Sequence, residues 1–395
     1  MKWCKTRHKV IQNLLRPLFK LFYKIKYGIK IDTKNGFSEG AIILSNHVTV
    51  MDMFYVGMCY KTPIYYMASI DIFEHFFTGK LIKFLVNPIA KEKSKKSDIT
   101  SVRNCIKVAK ENGTICIFPE GNRTFSGALG YIDSSIVKLV KLLKKPLVFF
   151  NINNGYGVDP RWSNKPRKGK FSFGERSVYQ YDDYANMSDD ELYNLIINEL
   201  TVNDLETDEE FKCKSNAEYL ERVVYICPVC KEMHTLYSKK DKVVCSNCGL
   251  EVKYKNDLTF ASLNDKFTFK TVKDWYDYQI DVITNKQFND DELIYQDDIK
   301  LFNPRLWKSR KNLGKGTISI YNNRFEIVTN KVNNVFDFDD IAGVTLLGKK
   351  KMNIYYKGTT YQIFGDKKLN LIKYVHLFYI LKNRKEGIHN GFIGL

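Results

Sequence analysis

Between residues 41 and 150, short apolar runs alternate with segments of helical spacing, and this pattern constrains the fold more than any other feature. "AIILS" (41–45), "TICIF" (114–118) and "PLVFF" (146–150) have the length and composition of buried strands. Between them, "SVRNCIKVAKEN" (101–112) has helical spacing and stops at Gly113, where a helix commonly ends. "DSSIVKLVKLLKK" (133–145) is the second such segment. Strands interleaved with helices predict an α/β domain: a mixed, largely parallel sheet flanked by helices. A capping box, Ser188 with Glu191, opens a further helix in "MSDDELYNLIINEL", so this domain is expected to close near residue 210.

At 395 residues the chain is long enough for two or three domains, and 44% apolar residues supply their cores. The net charge of +18 points to an acidic partner such as an anionic lipid surface, an acidic carrier protein or nucleic acid. From Met1 to Ile31 there are nine Lys/Arg and no Asp or Glu. On a helical wheel, Ile11, Leu14, Leu15, Leu18, Leu21, Phe22 and Ile25 share one face. Lys2, Lys5, Lys9, Arg16, Lys20 and Lys24 fall on the other, and Pro17 is expected to kink the helix or start its second half. A basic amphipathic helix of this kind suits the headgroup layer of an anionic membrane. No run approaches the ~18–20 apolar residues of a spanning helix. With no secretory signal either, the expected location is peripheral or monotopic, on the cytoplasmic face of the cell membrane.

Nine cysteines occur, four of them in two matched pairs: "CPVC" (227–230), fourteen residues, then "CSNCG" (245–249). Cys227, Cys230, Cys245 and Cys248 at this spacing predict two knuckles around one tetrahedral, structural Zn²⁺, with His234 a bystander. Cys4, Cys59, Cys105, Cys116 and Cys213 are assigned to packing. From about residue 315 the texture becomes short alternating strands: "GTISIY", "RFEIV", "NVFDF", "GVTLL", "MNIYY" and "TYQIF". With the helix "KLNLIKYVHLFYILKN" after them, they resemble the pleckstrin-homology-like fold. The expected organisation is a membrane-associating helix at 1–31, the α/β domain at 32–212, a zinc ribbon at 213–260, a connecting segment at 261–314 and a β-rich domain at 315–395.

Two polar motifs carry the chemistry. In "NHVTVMD" (46–52), directly after the first strand, His47 and Asp52 stand five positions apart. Such a histidine can act as a general base while the carboxylate fixes its tautomer. "IFPEGNRTF" (117–125) follows the second strand, and its turn lies where open α/β sheets place ligands. Arg123 offers a fork of donors suited to phosphate, and Glu120 can orient it or a substrate hydroxyl.

These motifs, their order and their separation resemble those of the glycerolipid acyltransferases, whose bacterial members include 1-acylglycerol-3-phosphate acyltransferase. "NHVTVMD" is similar to the family's first block, including Asn46. "FPEGNRT" is similar to its third, with Asn122 and Thr124 in place of the usual Thr and Ser. The segment "YYMASIDIFEHFFTGKLIKFLVNPIAK" is similar to the connecting stretch. In the second block Lys91 stands where an arginine is usual, and the fourth keeps only Pro146. The resemblance spans about residues 10 to 155. It implies that His47, held by Asp52, takes a proton from a lyso-lipid hydroxyl, which attacks the acyl carbonyl of acyl-CoA, acyl carrier protein or an acyl phosphate. Asn46, Lys91, Glu120, Gly121, Asn122, Arg123 and Thr124 would bind the acceptor. The expected acceptor is 1-acylglycerol 3-phosphate, giving phosphatidate. Glycerol 3-phosphate or another lyso-lipid is the alternative, as is a catalytically idle membrane adaptor binding protein or nucleic acid.

The basic clusters "KEKSKK" (91–96) and "PRWSNKPRKGK" (160–170) could steer an acidic acyl carrier protein or lie on anionic lipid. The alternative is solvated loops. Around the cysteines, "HTLYSKKDKVV" lacks the dense basic stripe that nucleic-acid binding calls for.

Overall fold

The structure is a computed structural model that describes residues 2–69, 76–91, 99–305, 308–388 and 391–394. It divides into two compact units. The first comprises Met1–Thr124, Ala128–Val158 and Gly169–Thr207; the second comprises Phe125–Gly127, Asp159–Lys168 and Asp208–Leu395.

The first unit contains, in order, α1 (Thr6–Tyr27), β1 (Ile42–Ser45), α2 (Asp52–Cys59), β2 (Ile64–Ser69), α3 (Phe76–Leu85), β3 (Ile89–Lys91) and α4 (Ile99–Lys110). It continues with β4 (Thr114–Ile117), α5 (Ser135–Leu143), β5 (Leu147–Asn153), α6 (Gly155–Val158), β6 (Ser172–Tyr179), α7 (Tyr181–Tyr184) and α8 (Asp189–Leu200). Its six strands run in the order β3-β2-β4-β1-β5-β6. The first five are parallel and β6 is antiparallel, the mixed and largely parallel sheet expected from the sequence.

Strand β1 lies between β4 and β5, with Leu44 opposite both Ile117 and Phe149. Both faces of these strands are covered, which is why they read as unbroken apolar runs. On one face Ile42, Leu44, Ile115, Ile117, Leu147 and Phe149 pack with Val108 of α4, Val140 of α5 and Ile196 of α8. On the other, Phe150 meets Phe173, which stacks on Tyr55 of α2 at 4.5 Å. Because parallel strands all point the same way, the loops leaving β4, β1 and β5 emerge side by side on one edge.

Helix α1 continues through Pro17 rather than dividing there. Its aromatic side packs on α2, Phe19 against Phe54 at 4.8 Å and Tyr23 against Tyr55 at 5.3 Å. Gln12 donates to the carbonyls of Gly57 and Tyr60, and Lys20 to the Thr33 hydroxyl. The apolar stripe faces outward: Leu14 is 69% exposed, Leu18 62%, Leu21 56% and Ile25 76%.

In the second unit, β7 (Leu236–Lys239), β8 (Lys242–Cys245), β9 (Glu251–Tyr254) and β10 (Phe260–Ser262) form a small antiparallel sheet beside the paired cysteines. Helix α9 (Val272–Asn285) follows, opened by a capping box between Thr271 and Asp274. A seven-stranded antiparallel sheet comes next: β11 (Tyr295–Arg305), β12 (Lys308–Ile320), β13 (Arg324–Thr329), β14 (Asn333–Asp337), β15 (Ile341–Leu347), β16 (Lys351–Tyr356) and β17 (Thr359–Phe364). Helix α10 (Ile372–Lys385) packs against it. The β-rich region thus begins near residue 295, not 315, and the expected connecting segment contains α9 and β11. The long β11–β12 pair was hidden because charged residues, Pro304, Gly314 and Gly316 interrupt the apolar alternation.

Candidate active site

His47 leaves the end of β1 and Asp52 begins α2, so five residues make a tight loop. The Asp52 carboxylate closes it. Its Oδ2 lies 2.7 Å from His47 Nδ1 and accepts the Val48 N–H at 2.7 Å, while Oδ1 accepts the Thr49 N–H at 2.9 Å and the Thr49 hydroxyl at 2.7 Å. A fully buried carboxylate with four donors around it has no freedom to turn away, and it also opens a helix, where negative charge is favoured. With Nδ1 held by Asp52, Nε2 is the ring nitrogen turned away from that carboxylate. Phe118 stacks on the ring, centroids 4.4 Å apart, and fixes its plane. The His47 side chain is 21% exposed, so solvent still reaches it.

The loop after β4 is tied to the loop after β1 at two points. The Thr124 N–H donates to the His47 carbonyl at 2.9 Å. The Glu120 carboxylate accepts the His47 N–H at 2.7 Å through Oε1 and the Gly130 N–H at 2.7 Å through Oε2. Glu120 is buried. Burial, with a push from nearby Asp52, lifts its carboxyl to about 8 against the opposing pull of the two N–H donors. Gly121 takes a left-handed φ of 67° in the turn, which its missing Cβ allows. Asn46 clamps the far side: its amide donates to the Ile152 carbonyl and accepts the Ile152 N–H, both at 2.9 Å.

The expected residues therefore separate by role in the geometry. His47, Asp52, Asn46, Glu120 and the backbone of Thr124 are brought together, with Arg123 and Asn122 half-buried on the same short turn. The oxygens of Glu120 hold backbone N–H groups, so it straps the loops, a task distinct from orienting Arg123. Lys91 ends the edge strand β3, with β2 and β4 lying between it and β1. At about 4.8 Å per strand, its backbone sits on the order of 14 Å from the histidine loop. Thr49, Phe118 and Gly130 were not foreseen. A threonine three residues before a helix-initial aspartate is a recognisable turn signal, whereas the Phe118 stack and the Gly130 contact depend on tertiary placement.

Residues 24–152 match the family model described as Acyltransferase. The 1-acyl-sn-glycerol-3-phosphate acyltransferase of Bacillus subtilis (strain 168) is 26% identical over 133 residues, which is 33% of this chain and 64% of the relative's length. Among solved structures, the 1-acyl-sn-glycerophosphate (LPA) acyltransferase from Thermotoga maritima is similar with a TM-score of 0.41 at 16% identity, covering 49% of this chain and 78% of that one. This chain carries an acyltransferase-family domain. The chain thus spans about two thirds of the curated relative it matches. Its ribbon and β-rich region lie beyond the matched acyltransferase residues.

Outside the acyltransferase domain, Cys227, Cys230, Cys245 and Cys248 bring their sulfurs within 4.8 Å of one another. Cys227 lies 3.6 Å from Cys248 and Cys230 3.7 Å from Cys245. A tetrahedron with metal–sulfur bonds of about 2.3 Å has edges of about 3.8 Å, so the cluster fits a metal ion. Tight turns shape both knuckles: the Lys231 N–H donates to the Cys227 carbonyl and the Gly249 N–H to the Cys245 carbonyl. His234 stands apart from the sulfurs, 2.9 Å from Lys373 Nζ.

The basic segment 160–170 does not form one solvated cluster. Arg161 is buried over the Phe125 ring and donates to the carbonyls of Leu346 and Gly348, and Arg167 is buried between Trp162 and Tyr254. A flat guanidinium can stack and bond backbone at once, which makes these arginines structural. Lys165, Lys168 and Lys170 remain exposed. Beyond Lys91, the cluster at 91–96 lies outside the described residues.

Because Glu120 holds its proton more tightly in the folded state than the ~4.3 of an unfolded chain, its contribution to stability is fullest below that value and is lost as pH rises toward 8. The unfolding free energy of the native protein, relative to Glu120→Gln, should fall between about pH 5 and pH 8. Parallel denaturation curves with a constant difference would contradict the assignment. At all pH values Glu120→Gln leaves one N–H without its acceptor, at a cost of about 1–3 kcal/mol.

Proposed function

We propose that this protein transfers a fatty acyl chain to the hydroxyl of 1-acylglycerol 3-phosphate, making phosphatidate, at an anionic membrane surface. The observation that carries the reading is the 2.7 Å contact between His47 Nδ1 and Asp52, set beside the Phe118–Thr124 turn at the ends of adjacent parallel strands. His47 takes the hydroxyl proton on Nε2 as the oxygen attacks the acyl carbonyl carbon. The tetrahedral intermediate collapses, the carbon–sulfur or carbon–phosphate-oxygen bond breaks, and the departing group takes the proton from the imidazolium. Asp52 stabilises that imidazolium and holds its tautomer. Arg123 and the turn from Gly121 to Thr124 hold the acceptor's phosphate. Acyl-CoA, acyl carrier protein and acyl phosphate all supply the required activated carbonyl. The isolated cysteines take no part: Cys59, Cys105 and Cys116 are buried.

Support for the membrane surface comes from α1. No helix among the described residues is long and apolar enough to cross a membrane. The outward stripe of Leu14, Leu18, Leu21 and Ile25, with exposed Val50 and Met53 on the histidine loop and α2, is instead suited to lying in an interface. Lys9 and Lys24, also exposed, add attraction to anionic headgroups. The four-cysteine cluster holds structural Zn²⁺ in this reading, since closed sulfur coordination leaves no position for substrate.

His47→Ala, assayed with labelled acyl donor and 1-acylglycerol 3-phosphate, should lower transfer by roughly 10²–10⁴-fold while the protein stays folded. Failure of the native protein to acylate any lyso-acceptor or glycerol 3-phosphate would favour a membrane adaptor instead. Leu18→Glu with Leu21→Glu should weaken binding to phosphatidylglycerol-containing vesicles at least tenfold, because each leucine contributes about 1.5–3 kcal/mol when buried; unchanged binding would remove α1 from the interface. Metal analysis should return about one zinc per chain, lost in Cys227→Ser, and a metal-free native protein would end the ribbon reading.

A further inference from the structure

Asp204 belongs to no motif and follows the end of α8 in an irregular stretch, yet it is only 3% exposed. One carboxylate oxygen accepts the Asn154 N–H at 2.5 Å and the other accepts the Tyr156 N–H at 3.0 Å. These two amides flank Gly155, in the turn that leaves β5, and Asn154 takes a left-handed φ of 62° to make it. A methyl group added to Gly155 would lie 3.3 Å from a Val48 methyl, 3.5 Å from the Thr49 methyl and 2.9 Å from Ile152. The turn therefore presses directly on the two residues whose N–H groups bind Asp52. Ile152, just before the turn, is the residue clamped by Asn46. The end of β5 is thus fastened to the histidine loop from both sides, and Asp204 fastens the turn to the rest of the domain.

We propose that Asp204 is a positioning residue for the His47–Asp52 pair, holding the turn at 154–156 against Val48 and Thr49. This rests on the acyl-transfer reading above. Burial and the proximity of Asp52 raise the Asp204 carboxyl to about 6, so at neutral pH it is still ionised and able to accept from both amides. The fourth motif block, in which this chain keeps Pro146 alone, ends at this turn. A downstream carboxylate braces the loop here.

The test uses the full chain with Asp204→Ala and Asp204→Asn, measuring acyl transfer alongside hydrogen exchange of the peptide covering residues 46–52. For Asp204→Ala, kcat should fall about 10- to 100-fold with KM for the acceptor within about twofold, because orientation is lost and acceptor contacts are kept. Exchange at the Val48 and Thr49 amides should quicken while peptides of β1 and β4 keep their protection. Asp204→Asn retains one acceptor and should recover part of the loss. Wild-type kcat and exchange in both variants would overturn the proposal, as would a loss confined to KM. Loss of protection throughout the domain in Asp204→Ala, with unaltered kcat in Asp204→Asn, would reduce Asp204 to a purely structural role and also overturn it. If the native protein transfers no acyl group, the acyl-transfer reading fails by itself, and the exchange experiment still decides whether the brace exists.

Discussion

Parallel pairing of β1 with β4 and β5 is the constraint on which the rest of the site depends. Leu44 faces Ile117 on one side and Phe149 on the other, so the chain direction at all three strands is the same. Their following loops are forced onto one edge, a strand's width apart. An antiparallel neighbour would have sent one of those loops to the opposite edge and separated the histidine from the Phe118–Thr124 turn by the length of the sheet. The hydrophobic burial of Ile42, Leu44, Ile115, Ile117, Leu147 and Phe149 is what holds this pairing, and the polar site is built on its rim.

At that rim the polar groups satisfy one another. Asp52 gathers His47, Val48 and Thr49; Glu120 gathers His47 and Gly130; Asn46 gathers Ile152. Each buried acceptor is matched by backbone donors, which offsets the cost of burying Asp52 and Glu120 beside one another. The result is a histidine whose backbone and ring are both fixed before any substrate arrives. Such preorganisation is what general-base catalysis requires, since little then has to rearrange as the proton moves.

Much of this could be read from residue types alone. The β1, β4 and β5 runs were visible because strands covered on both faces carry no polar interruptions, and Ser188 with Glu191 marked the start of α8 through local capping chemistry. The four cysteines declared their cluster through spacing. What stayed hidden was tertiary. Glu120 has the chemistry of a substrate contact, and only the fold shows its oxygens committed to backbone amides. Arg161 and Arg167 look like solvated charge in the sequence, but aromatic rings and free carbonyls supplied by distant segments bury them. Strand β11 escaped notice because its solvent face carries charges at positions where alternation alone cannot separate a strand from a loop.

The central claim is that His47 and Asp52 work as one unit on a hydroxyl nucleophile. A double-mutant cycle in acyl transfer, with His47→Ala, Asp52→Asn and the two combined, tests it most directly. If the carboxylate acts through the imidazole, the double variant should be no slower than His47→Ala alone, because Asp52 has nothing left to orient. Losses that multiply, with the double variant slower by the product of the two single effects, would mean the residues act independently and would contradict the account.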